Sequence, residues 1–193
     1  VPSVSYLVIG IEHLVLGLDH VLFVIGLVLF IRAPWMLLKT ITAFTIAHSI
    51  TLALSIFNVV SLPQAPVEAV IALSIVFLAR ELAQEEQRRS VLTRAQPWLM
   101  AFAFGLLHGL GFAGALSDIG LPEDAIGMSL LLFNLGIEIG QLLIIALFLI
   151  VARVWHLITK HLNYTEAHLY KGAAFGMGIL ASYWTIDRTL VLL

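Results

Sequence analysis

An all-α membrane protein, six spanning helices in one bundle over residues 1–193, is the fold this sequence predicts. Three observations predict it. The chain is 61% hydrophobic and only 11% charged, where a soluble domain carries roughly 25% charged residues. Its mean hydropathy is +1.04, and its apolar runs approach the roughly 20 residues a helix needs to cross a bilayer. Finally, Lys and Arg crowd into alternate connections between those runs, as the positive-inside rule requires of a polytopic protein.

The spans follow in order at 7–31, 39–59, 67–83, 97–117, 127–152 and 171–191. Span one stops at "RAP", and span two ends in "NVVSLPQAP", where Pro63 and Pro66 cannot continue a helix. "ARELAQEEQRRSVLTRAQP" is the most polar stretch and reads as a loop with helical extensions, while "SDIGLPED" makes the fourth turn. "RVWHLITKHLNYTEAHLYK" forms a longer fifth connection that carries His156, His161 and His168, read as solvated loop histidines. No internal repeat interrupts this plan.

Arg32, Lys39, Arg80, Arg88, Arg89, Arg94, Arg153, Lys160 and Lys171 lie in the odd-numbered connections, nine of the chain's ten Lys and Arg. The even connections hold acids, among them Glu68, Asp118, Glu123 and Asp124. Odd connections are therefore expected inside and both termini outside. A start at Val1 with an outside N-terminus leads us to expect an upstream signal peptide or periplasmic segment.

A net charge of −2 with no basic stripe leaves no reason to invoke nucleic acid, and the lack of cysteine excludes disulfides and thiolate ligands. Any metal must then be held by nitrogen and oxygen. At 1.5 Å rise per residue, Asp19 and His20, His48, His108, and Glu138 with Gln141 fall near the middles of spans one, two, four and five. Glu12, His13, Glu68 and Asn134 fall in the outer half, and no comparable set occupies the inner half. His13 and His20 are two turns apart on one face; Thr42, Thr45, His48 and Ser49 share another, and Asn134, Glu138 and Gln141 a third.

Hydroxyls and amides at depth have an ordinary role as interhelical hydrogen bonds of about 1 kcal/mol. Ionisable groups are different: each costs about 2.5–3.5 kcal/mol at a helix centre on insertion scales, and they usually mark ion pathways. Asp19, His20, His48, His108 and Glu138, with His13 above them, are thus the candidate metal ligands. Glu12, Thr45, Ser49, Glu68, Asn134 and Gln141 are candidates to line the approach or support those ligands. "GLLHG", "GIEIG" and "GAAFG" fit the GxxxG pattern of close helix packing, and the glycines around His108 permit a kink there. Imidazoles with a few carboxylates suit nickel, cobalt, zinc or copper better than magnesium or calcium.

"HLVLGLDH" is an H-x5-D-H element, and with "TAFTIAHSITL", "VEAVIALSIVF", "FGLLHGLGFA" and "FNLGIEIGQL" it resembles the second branch of the HupE/UreJ family of bacterial membrane proteins. The resemblance touches five of the six expected spans. It implies nickel or cobalt uptake across the inner membrane, with metal-linked positions at His13, Asp19, His20 and His108 beside Gly109.

Two functions follow. The first is a divalent-metal permease, its ion collected by Glu12, His13 and Glu68 and held deeper by Asp19, His20, His48, His108 and Glu138. No nucleotide-binding motif is present, so such transport is facilitated or gradient-driven. The second is a membrane-embedded metal-dependent hydrolase or other metalloenzyme with an outward-open site, which the missing inner path favours. A homo-oligomer stays open under either. The topology is checked with single cysteines placed in this cysteine-free chain. Ser61→Cys should react with an impermeant maleimide added outside, and Gln87→Cys only after permeabilisation; the reverse pattern inverts the orientation.

Overall fold

The computed structural model describes the backbone of residues 3–119, 125–159 and 166–192, with side chains over 4–112, 125–159 and 170–192. Glu123, Asp124, Lys160 and His161 therefore lie outside the described residues, as do the side chains of Asp118 and His168. Among the described residues there is no strand.

Among the described residues eight α-helices follow one another: α1 (Ser3–Leu16), α2 (Leu18–Phe30), α3 (Pro34–Ile56), α4 (Gln64–Ala83), α5 (Val91–Ala95), α6 (Pro97–Ile119), α7 (Ile126–Thr159) and α8 (Glu166–Leu190). Prolines open them where the missing N–H costs nothing: Pro34 stands in the first turn of α3, Pro97 begins α6, and Pro63 caps α4. The α3–α4 connection turns through Asn58, whose φ of 55° is one that Asn tolerates better than most residues.

By length and apolar composition α3 and α7 each qualify as a membrane span, and the bent α1–α2 pair as a third. The runs expected at 39–59, 67–83, 97–117, 127–152 and 171–191 overlap α3, α4, α6, α7 and α8, with ends that differ by up to seven residues. At 34 residues, α7 is about 51 Å long. That exceeds the hydrocarbon core, and it absorbs the start of the fifth connection.

Span one departs from expectation. It is not one helix but two, bent by 74° at Gly17. Gly17 (φ −76°, ψ 96°) leaves the helix; its N–H still closes α1 on the His13 carbonyl at 3.1 Å, while its own carbonyl starts α2 by accepting from Val21 at 2.9 Å. The break expected beside His108 is absent, because Gly105 and Gly109 serve packing within the continuous α6.

The helices pair as α3 with α6, α1 with α7, and α4 with α8, and α2 threads between the pairs. Lipid tails are as apolar as Leu, so such pairs are held by close contact rather than by leaving water. Glycine provides that contact. A Cβ on Gly105 would strike the Phe44 carbonyl, and one on Gly109 the His48 carbonyl and Thr51 Oγ1. Gly10 and Gly136 abut each other's helices in the same way, and Gly140 rests on Leu14. The third motif behaves otherwise: Gly172 and Gly176 have nothing within 4 Å of a built Cβ, so they are not a packing seam among the described residues.

The polar 84–96 connection is organised by a carboxylate that sequence pattern had not singled out. Glu81 is fully buried; it accepts from the Ser90 N–H at 2.8 Å and the Thr93 hydroxyl at 2.6 Å, and pairs with Arg80 at 2.7 Å. Nearby, Arg89 stacks over Phe30 at 4.7 Å and Lys39 over Trp98 at 4.3 Å, so the first and third connections share one basic end of the bundle.

Since a methyl at Gly109 meets backbone that cannot move aside, Gly109→Ala should destabilise the protein by about 1–3 kcal/mol. Gly172→Ala should not lower stability. Thermal unfolding in detergent measures both, and equal behaviour of the two variants contradicts the α3–α6 seam.

Candidate metal centre

The bend at Gly17 is what assembles the site. A Cβ there would sit 2.7 Å from His20 Nδ1 and 3.2 Å from Asp19 Oδ1, so only glycine lets the first turn of α2 fold back under the end of α1. Asp19 Oδ1 then accepts from the His20 backbone N–H at 2.8 Å and from its ring Nδ1–H at 2.9 Å. His13, at the end of α1, meets His20 edge-on with ring centroids 4.6 Å apart. On a straight helix these two would share a face two turns apart; across the bend they touch.

α3 and α6 bring two more imidazoles. His48 Nδ1 faces Asn134 Oδ1 at 3.3 Å, and the amide nitrogen of Asn134 donates to the Leu130 carbonyl at 2.7 Å, which aims its oxygen at the ring. His108 Nδ1–H donates to the Phe104 carbonyl at 2.8 Å. His20, His48 and His108 each thus have Nδ1 against an oxygen acceptor, an arrangement that puts the proton on Nδ1 and the lone pair on Nε2.

The Nε2 atoms of His13, His20, His48 and His108 are all buried without a hydrogen-bond partner. Leaving such an atom unsatisfied costs about 1–3 kcal/mol, and four together call for a shared ligand. Ligand atoms of His13, His20 and His48 lie within 4.8 Å of one another. Two nitrogens on a tetrahedral metal stand about 3.4 Å apart, so after a rotamer-scale contraction these three imidazoles could hold one ion. The His108 ring lies 5.1 Å from that of His20 and stands beside that group.

The other expected site residues are distributed around this group rather than in it. Asp19 supports His20, while its second oxygen faces Arg188 at 3.7 Å. Glu138 accepts from the Thr42 hydroxyl at 2.6 Å, and Gln141 from Thr45 at 3.0 Å. With His48–Asn134 these form a polar seam between α3 and α7 that runs from the imidazoles toward the basic end. Ser49 Oγ donates to the Thr45 carbonyl at 2.7 Å. Glu12 is exposed on α1. Glu68 is half-exposed, accepting from Gln64 at 2.6 Å and facing Arg188 at 3.7 Å.

Two features escaped sequence reasoning. Phe23, Phe44 and Phe104 each lie about one turn from His20, His48 and His108, all toward the basic end. Their rings touch, Phe23 being 5.2 Å from Phe44 and 5.9 Å from Phe104, and they floor the cluster. Phe112 and Phe133 stack 5.2 Å apart and close a flank, with Phe112 3.7 Å from His13. Aromatic rings at helical spacing read as core, so no sequence signal marked them. Arg188 was detectable: it is the one Lys or Arg outside the odd-numbered connections.

A family model described as HupE / UreJ protein matches residues 2–188, nearly the whole chain. The chain belongs to the HupE/UreJ family. No curated protein and no solved structure matches significantly. Membership of a HupE/UreJ family associated with nickel and cobalt uptake supports, in coarse terms, membrane metal transport, and the histidine cluster is the place where a HupE/UreJ protein of this sequence could hold an ion.

Carboxylates that brace a ligating imidazole from behind are worth 10–100-fold in metal affinity. Asp19→Asn should accordingly weaken Ni²⁺ or Zn²⁺ binding by about that factor with little change in thermal unfolding. Equilibrium dialysis in detergent measures it, and wild-type affinity in the variant would remove Asp19 from the site.

Proposed function

We propose that this protein is a multi-pass transporter of a divalent transition-metal ion in the bacterial inner membrane. In this reading six spans cross the bilayer, the first of them broken at Gly17, with both termini outside. Four buried imidazole Nε2 atoms without partners carry the proposal. Three of them sit close enough to share one ion. Nitrogen donors favour nickel, cobalt, zinc or copper over the oxygen-seeking magnesium and calcium.

The broken span supports transport as well. Non-helical backbone at membrane depth survives only where it is buried in protein or lines a cavity, and discontinuous helices form the midplane sites of many secondary transporters. An ion enters from the Glu68 side, with Glu12 and His13 collecting it and Asp19 orienting His20 to receive it. His48 and His108 complete the imidazole set. Release requires the Phe23, Phe44 and Phe104 floor to part, and beside it the Thr45, Gln141, Thr42 and Glu138 seam offers oxygens. Glu138 is in this reading an exit ligand rather than a partner of the imidazoles.

One observation favours a second reading. The phenylalanine floor closes one side of the histidine cluster, which suits a membrane metalloenzyme that activates water on its ion. Ser49 gives that rival no nucleophile, since its hydroxyl is committed to the Thr45 carbonyl.

Metal uptake into proteoliposomes separates the two. Wild-type protein should carry Ni²⁺ or Zn²⁺ down an imposed gradient, and His20→Ala should reduce uptake to the protein-free rate. Stoichiometric, tight metal with no flux in wild type would end the transport reading and leave the enzyme.

A further inference from the structure

Arg188 lies outside the odd-numbered connections that hold the other nine Lys and Arg. It sits in the last turn of α8, and its guanidinium faces two acids. Nη2 is 3.7 Å from Asp19 Oδ2 and Nε is 3.7 Å from Glu68 Oε2. Neither distance is a hydrogen bond. The bond it does make is from Nη1 to the Glu68 backbone carbonyl at 3.0 Å. Its flank lies 5.9 Å from the Trp184 ring. The cation is thus tethered by a neutral carbonyl and stands between two carboxylates without being committed to either.

Asp19 cannot be indifferent to this. Its other oxygen holds the His20 ring at 2.9 Å, so the charge on Asp19 is felt at His20 Nε2, one of the four unpartnered nitrogens. A guanidinium beside Asp19 screens that charge and repels an incoming dication. Its side chain is only 24% exposed, which keeps the effect from being lost to solvent.

We propose that Arg188 is a resident counter-cation of the site, which neutralises Asp19 while the imidazoles are empty and shifts onto Glu68 as a metal ion binds. The inference rests on the histidine cluster being a metal site. It assigns Arg188 a role that a merely structural ion pair between α8 and its neighbours would lack: Arg188 competes with the metal and hastens its release. Glu68 is then not simply an outer collector; it is the alternative seat that draws the guanidinium away from Asp19.

The two roles predict opposite signs. As a competitor, Arg188→Gln should tighten Zn²⁺ binding about tenfold or more and slow its dissociation, so that KM and turnover for uptake in proteoliposomes fall together. Arg188→Lys keeps the charge and should restore most of the wild-type behaviour. Glu68→Gln removes the alternative seat and should weaken binding, but only while Arg188 is present; in the Arg188→Gln background it should change little. Such a double-mutant cycle isolates the coupling between the two side chains. Unchanged or weaker binding in Arg188→Gln overturns the proposal, as does a Glu68→Gln effect of equal size in both backgrounds.

A measurement on the unaltered site covers the case in which Arg188→Gln does not fold. Zn²⁺ should change Trp emission as the guanidinium leaves Trp184, and Trp184→Phe should abolish that change while leaving affinity intact. Saturable Zn²⁺ binding without any Trp184-dependent signal overturns the proposal. Wild-type protein that binds no Zn²⁺ or Ni²⁺ overturns the transport reading itself instead.

Discussion

The bend at Gly17 is the constraint on which the rest depends. A continuous helix would keep His13 and His20 two turns apart, about 10 Å along the axis, too far to share an ion. Breaking it brings their rings to 4.6 Å, at the cost of exposing helix ends within the bundle. Asp19 offsets part of that cost by accepting the His20 N–H. The same carboxylate oxygen holds the His20 ring, so the device that stabilises the break also selects the tautomer that leaves Nε2 bare. Local folding and site chemistry are here one interaction.

The remaining imidazoles arrive by helix packing, and glycine determines how closely. Gly109 lies directly against the His48 carbonyl and next in sequence to His108, so one contact between α3 and α6 sets the positions of both rings. On the other side Gly10 and Gly136 bring α1 against α7, which places Asn134 where it can orient His48. A larger residue at these points would separate helices whose only cohesion is contact. The histidine cluster therefore inherits its precision from backbone-to-backbone approach rather than from loops.

The cluster is asymmetric along the bundle. Toward the basic end the phenylalanine floor offers no polar atom, and toward the other end Glu68 and Arg188 do. The imidazoles thus have charge on one side and aromatic surface on the other. Beside the floor, Thr45 with Gln141 and Thr42 with Glu138 are bonded in pairs across α3 and α7.

Most of the architecture was legible in the sequence because the bilayer makes strong demands on composition. Apolar runs, proline punctuation and basic connections located five helices, with ends off by up to seven residues. His13, His20, His48 and His108 were legible too, since ionisable groups at depth are too costly to be incidental, and the structure brings these four together. What sequence could not decide was anything set by contacts between helices. Gly17 and Gly109 are equally permissive residues, yet one breaks a helix and the other packs one. Glu138 and His48 are both polar residues near the middle of a span, yet Thr42 takes one and the imidazole cluster the other. Arg188 stood apart in sequence only as the one Lys or Arg outside the odd-numbered connections, and it is the packing of α8 on α4 that carries it to Asp19 and Glu68. Burial cost is a property of a residue and its depth, so sequence alone marked the four deep histidines as groups that need explaining. Which groups meet depends on helix rotation and separation, and those exist only in the packed bundle.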